Sequence, residues 1–399
     1  MSVNRGWQWV FALPFVVVFA LTRFDHPIHS DEVFFYRLTL EFGTHTFPSM
    51  QFLRTYDHTV TPLVFIVFGL LGRAIGFDLW KMRAVIALLS CFTLLLFHRL
   101  CRVRCIQTSP WLPFYATAVL AFSPYYFGAS IYYYTDIPCL FAMMVATTCY
   151  LADRPLTGGI ASGAALLTRQ FSLFLPAAYA LASLTKTRGP RLDLRRGALL
   201  LVPFGMVLPL IVLWGGLSPQ NRFREMVQQV GYFHPAFVNY LVLATGVYCL
   251  PLAILRLRTL FQWQRLLLVL LLAPLFWIAI PQPNAAVLNL PVETLGYLDI
   301  ALTTVFGDHK TLPYFLLWLL GCLILYEVFQ AERTDPERFI PFAIGGFFLM
   351  NLFVYMVWDK YLLMVLPFVL LSLARGHAQA RGSRGDHLGL APSCIGAAR

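Results

Sequence analysis

Thirteen apolar runs, the first at Trp7–Leu21 and the last at Tyr361–Leu373, fill most of the 399-residue chain. A bilayer core is about 30 Å thick, so roughly 20 apolar residues cross it as a helix. Runs that approach this length recur along a chain that is 59% hydrophobic and 12% charged. That composition is too apolar for a soluble domain. Backbone groups in hydrocarbon must be satisfied within the protein, which helices do segment by segment. The expected fold class is therefore an all-α polytopic membrane protein. A net charge of +11 then follows from basic cytoplasmic loops, and no basic, aromatic-studded face suggests a nucleic-acid partner. The eight cysteines offer no external disulfide pair. Cys101 and Cys105 have helical spacing, but no further ligand completes a zinc set.

Charge sets the orientation. If every run crosses from an inside N-terminus, the basic stretches HRLCRVRC (His98–Cys105) and KTRGPRLDLRR (Lys186–Arg196) fall outside, against the positive-inside rule. Demoting Pro62–Ile75 to a helix on the membrane surface moves both inside. That run is short, and Pro62, Gly69 and Gly72 weaken it as a span. The result is about 12 transmembrane helices with both ends cytoplasmic. Residues 1–374 form one integral-membrane domain, and the basic tail 375–399 is expected to be disordered.

This topology gathers polar residues on the external face. Asp31 and Glu32 follow the first helix in HPIHSDEVFFYRL, and Asp57 and His58 lie later in the same loop. Tyr134 and Asp136 stand in SIYYYTDIP, Arg169 and Gln170 in LLTRQFS, His234 in GYFHP, and Asp359 and Lys360 in VWDKYLL. Ordinary readings exist for each: interfacial tyrosines and solvated charges at helix ends. Arg169 stands out, because an arginine at the centre of an apolar helix costs about 2.5–3.5 kcal/mol. A turn there relieves the cost, and two uses of it remain open. The guanidinium pairs with Asp136, or its planar fork is aimed at a phosphate.

In order and spacing, HSDEVFFYRL, YDHTVTPL, IYYYTD, LLTRQFSLFL, WGG (Trp214–Gly216) and DKYLLMVLPFVLL resemble the GT-C membrane glycosyltransferases. More narrowly, they are similar to the dolichyl-phosphate-glucose α-1,2-glucosyltransferase family. The resemblance is continuous over about residues 25–185. It implies a family-like module over about 1–215, variable helices over 216–374, and surface-lying helices in the first external loop. It also implies an inverting transfer of a hexose, glucose first, from a polyprenyl-phosphate or dolichyl-phosphate sugar to a glycan or glycolipid hydroxyl, with no cofactor and no metal. Asp31 falls at the family's general-base position, with Glu32 second. Arg169 is the first candidate for the donor phosphate, with Lys360 or Arg83 next. Tyr134, Asp136, Gln170, Asp57 and His234 are expected as sugar contacts. Arg-rich, Lys-poor usage points to a bacterial cytoplasmic membrane with an external site; in a eukaryote the counterpart is the endoplasmic reticulum with a lumenal site. A transporter or flippase of a lipid or anion is the competing class, since it too needs membrane-adjacent charge.

Overall fold

The computed structural model describes residues 10–45, 48–56, 58, 60–105, 111–185, 194–216, 218–219, 233–281, 296–333, 338–354 and 358–386. Every regular element among them is a helix. Helix α1 (Leu13–Thr22) starts on Pro14, where a missing N–H costs nothing. It stops at Arg23, whose left-handed backbone (φ 51°) returns its amide to the Phe19 carbonyl.

The first loop carries α2 (Glu32–Thr44), α3 (Met50–Thr55) and α4 (Leu63–Ile75). With 13 residues, α4 is about 20 Å long, short of a bilayer core. Gly69 and Gly72 do more than weaken it. A Cβ at Gly69 would lie 2.9 Å from the Gly43 nitrogen, and one at Gly72 would lie 2.4 Å from the Phe77 ring. The two helices therefore touch backbone to backbone, and Arg73 Nε donates to the Gly43 carbonyl at 2.5 Å.

Helix α5 (Leu79–Cys105) is 27 residues long and is followed by α6 (Trp111–Ala121) and α7 (Pro124–Ile131). After α7 the chain turns by 111° into α8 (Asp136–Leu151). Helix α9 (Pro155–Thr168) ends at an extended Arg169, and a 3-10 turn leads into α10 (Phe174–Leu184). The break expected at Arg169 is thus present. Helices α11 (Leu194–Leu200) and α12 (Val202–Trp214) follow, and Trp214 Nε1 donates to the Leu53 carbonyl of α3 at 2.8 Å. Farther along, the helices Pro235–Tyr248 and Thr311–Glu332 meet at Gly246 and Gly321. A Cβ at either would lie within 2.3 Å of a carbonyl oxygen of the other helix, so nothing larger fits.

Among the described residues, Leu79–Cys105, Arg196–Trp214 and Thr311–Glu332 are long and apolar enough to cross a membrane by length and composition, and two bent pairs bring the number to five if each pair is one span. Seven further apolar helices have 10–17 residues. Fewer uninterrupted spans result than the thirteen apolar runs suggest, because Pro, Gly and Arg169 break the runs. At the ends expected to be cytoplasmic, arginines converge on buried glutamates of the Thr311–Glu332 helix. Arg256 lies 2.8 Å from Glu327, which Arg265 also contacts, and Arg375 and Arg104 lie 3.2 and 3.7 Å from Glu332.

If α4 lies on the outer surface, cysteines placed at the exposed positions Ala74 and Arg99 will react with a membrane-impermeant thiol reagent from opposite sides. Ala74→Cys labels in intact cells and Arg99→Cys only after permeabilisation. Labelling of Ala74→Cys only after permeabilisation, with Arg99→Cys then labelled in intact cells, would refute the surface placement of α4.

Candidate active site

The HSDE turn sends two neighbouring carboxylates in opposite directions. Ser30 adopts φ 50°, and the Glu32 amide folds back to the His29 carbonyl at 3.1 Å. Asp31 occupies the N-cap position of α2, yet its side chain caps no amide. It reaches Lys360 Nζ at 3.0 Å instead, across 329 residues of chain. Glu32 turns inward and is fully buried. Its Oε1 accepts from Arg83 Nε (2.7 Å) and the Tyr133 amide (2.7 Å). Its Oε2 accepts from Arg83 Nη2 (2.6 Å) and the His29 amide (3.2 Å). Arg83, 1% exposed, also donates to the carbonyls of Phe24 (2.7 Å) and His26 (2.8 Å).

Beside this turn opens a cleft with about 870 Å³ of free space. Of the expected residues, Tyr134, Asp136 and Lys360 line it. Asp136 opens α8 at the bend and meets Arg169 Nη1 at 2.9 Å, while Arg169 Nε donates to Thr135 Oγ1 at 2.8 Å. Both members of the pair are buried. The Asp136 pairing, one of the two uses left open for Arg169, is therefore formed. Tyr134 donates to the His29 carbonyl at 3.0 Å.

The other expected residues do not line the cleft. Glu32 and Arg83 are interior. Gln170 begins the 3-10 turn after Arg169. His234 precedes its helix, stacks on Phe237 at 4.8 Å and donates its amide to the Leu352 carbonyl at 2.8 Å. Asp57 lies outside the described residues.

Sequence reasoning missed the aromatic wall of the cleft: Tyr125, Tyr132, Tyr297 and Trp358. The runs PYYFGASIYYY and VWDKY carried a signal, but interfacial belts give the same one. Lys360 Nζ also sits 3.9 Å from the centre of the Trp358 ring. Asp359, expected as a solvated charge, is 1% exposed. Among the described residues, no group of three or more His, Cys, Asp and Glu is arranged to hold a metal.

Burial pushes the Asp31 carboxyl up, but the charge and hydrogen bond of Lys360, helped by the charges of Arg169 and His58, outweigh it. The net effect holds Asp31 below 3.8. Asp31 and Arg169 are not among the residues that line the cleft, but each is paired with one that is, so an ionised carboxylate stands behind the Lys360 ammonium in a cleft that is otherwise rich in aromatic rings. That arrangement can accept a proton, hold an anion and seat a ring-shaped substrate.

No protein-family model matches the sequence, and no curated protein matches it. Among solved structures, the chain is similar to ArnT from Cupriavidus metallidurans bound to undecaprenyl phosphate, with TM-score 0.54 and 17% identity. The match covers 97% of this chain and 63% of that one, so the chain spans less than two thirds of its neighbour's length. The same protein in the apo state matches at TM-score 0.47 and 16% identity, over 97% and 62% of the two chains. The first likeness establishes the fold class: an all-α polytopic membrane bundle of the GT-C type.

The buried Arg169–Asp136 pair yields a test of its own. Arg169→Met strands an enclosed carboxylate, which should cost about 3–5 kcal/mol and lower the thermal midpoint in detergent. The double variant with Asp136→Leu should recover most of the loss, because it removes both charges. An unchanged midpoint in Arg169→Met would show that the pair contributes nothing to stability.

Proposed function

We propose that the protein is a polyprenyl-phosphate-sugar-dependent glycosyltransferase that moves a hexose, glucose first, to an acceptor hydroxyl of a lipid-linked glycan on the external face. The observation that carries this reading is the Asp31–Lys360 pair at the edge of the aromatic cleft. Support also comes from the motif resemblance and from the neighbour of the same fold, whose structure holds undecaprenyl phosphate.

The chemistry is one displacement. Asp31 accepts the proton of the acceptor hydroxyl, whose oxygen forms the bond to the anomeric carbon. The bond from that carbon to the phosphate oxygen breaks, and the lipid phosphate leaves with the electron pair and inverted stereochemistry at carbon. Lys360 lines the cleft and is the first cation for the departing phosphate; Arg169 stands with Asp136 as the second. This reverses the order expected from sequence, because Lys360 lines the cleft whereas Arg169 reaches it only through Asp136. A phosphate that draws Lys360 away also removes the charge that holds Asp31 acidic, and so makes Asp31 a better base as the donor binds. A neutral hexose suits the cleft, since its charged lining residues Asp136 and Lys360 each have an opposite charge already. Glu32 and Arg83 serve the frame in this reading.

Asp31→Asn should lower transfer by about 10²–10⁴-fold, the range for general bases, with a thermal midpoint near wild type. The assay incubates purified protein with labelled polyprenyl-phosphate sugars and a lipid extract of the host. Retention of a tenth of the rate would remove the base role, and lipid movement without transfer would favour a flippase. The pH profile gives a second check. A depressed carboxyl keeps its charge until pH falls through its folded value, so the acid limb of kcat/KM, which reports the free enzyme, lies below the usual carboxylate range. Lys360→Met deletes the main lowering charge and should move that limb upward.

A further inference from the structure

Asp359 is a buried carboxylate that the transfer chemistry does not use. Its Oδ1 accepts from the Tyr125 hydroxyl at 2.5 Å. Its Oδ2 accepts from the Tyr248 hydroxyl at 2.8 Å and the Leu298 amide at 3.1 Å. Tyr125 Oη in turn accepts from the Tyr297 amide at 2.8 Å. Each of these donors is neutral. Four segments thus meet at one carboxylate: α7, the helix Pro235–Tyr248, the start of the helix Tyr297–Phe306, and the 3-10 turn Asp359–Met364. The chain presses so closely here that a Cβ at Gly296 would lie 1.8 Å from Oδ1.

Enclosing a carboxylate among neutral donors is costly, because no opposite charge repays its desolvation. What the carboxylate adds is placement, because its two oxygens accept along defined directions. The groups it places belong to the cleft. Tyr125 and Tyr297, with ring centres 5.0 Å apart, form one wall. Lys360 is the next residue in the turn that Asp359 begins.

We propose that Asp359 is a positioning residue of the transfer site. It fixes the Tyr125–Tyr297 wall and the Lys360 ammonium in the arrangement that receives the sugar and phosphate of the donor. The role rests on the functional reading above. In that reading the groups the hub places, Tyr125, Tyr297 and Lys360, are the ones assigned to the donor, so the hub is expected to act on donor binding.

The test measures donor KM, acceptor KM and kcat for two variants. Asp359→Asn keeps the shape and loses the charge. Tyr248→Phe deletes one donor to the carboxylate without altering the lining of the main cleft. Each should raise donor KM, about tenfold for Asp359→Asn, which corresponds to 1.4 kcal/mol of lost placement, and by a smaller factor for Tyr248→Phe. Acceptor KM should stay at the wild-type value, and kcat within about threefold of it. A lowered thermal midpoint with wild-type KM values would mean a merely structural carboxylate and would overturn the proposal. If Asp359→Asn does not fold, Tyr248→Phe decides: wild-type donor KM in that variant overturns the role. Wild-type protein that transfers no sugar would instead overturn the functional reading, and this role with it.

Discussion

Arg83 and Glu32 form the interaction on which the face expected to be external is organised. A guanidinium and a carboxylate that are both fully enclosed would each cost several kcal/mol if unpaired. Here their bonding is complete: two N–H···O contacts join them, three backbone carbonyls of the first loop take the other Arg83 protons, and two amides close on Glu32. The pair ties the start of α5 to the first loop and to Tyr133 at once. The HSDE turn is thereby anchored through its second acid, while the first pairs with Lys360, which lines the cleft. Two adjacent carboxylates with opposite fates make one device. Asp31, with 33% of its side chain exposed against none for Glu32, can reach Lys360 because Glu32 cannot move.

Much of this was legible from residue types, for identifiable reasons. An arginine inside an apolar run is so costly that the chain must break beside it, and Arg169 does sit in extended backbone between two helices. Asp31 drew attention because a charge cluster directly after an apolar run has few apolar neighbours. Other features left no such mark. Which of two adjacent acids turns inward depends on the left-handed Ser30, and no local propensity requires that conformation there. Asp359 looked like a solvated end charge because its donors, Tyr125, Tyr248 and the Leu298 amide, come from segments 61 to 234 residues away. The role of two glycines left no mark either: Gly69 and Gly72 read as helix weakeners, although they are also where α2 and Phe77 approach α4.

Both faces of the bundle use charge, but differently. At the ends expected to be cytoplasmic, arginines from four segments surround two glutamates of one helix, which binds the bundle together. On the other face each carboxylate has a dedicated partner set: Asp31 with Lys360, Asp136 with Arg169, Asp359 with two phenols and an amide. Dispersal of this kind leaves space between the pairs, and the aromatic cleft lies in that space.

The broken helices explain how three carboxylates come to that one face in so apolar a chain. Asp31 precedes the first residue of α2, Asp136 opens α8 after the 111° bend, and Asp359 opens the 3-10 turn before the closing helix. Each stands at the amino end of its element, where free N–H groups and the positive end of the peptide dipoles favour negative charge. A straight span offers one such end per crossing, whereas a bend or a short turn creates another wherever it falls. Proline and glycine shorten the spans and so multiply helix starts at the membrane boundary. What looks like poor span-forming sequence supplies the sites at which an apolar bundle can hold acids beside a substrate.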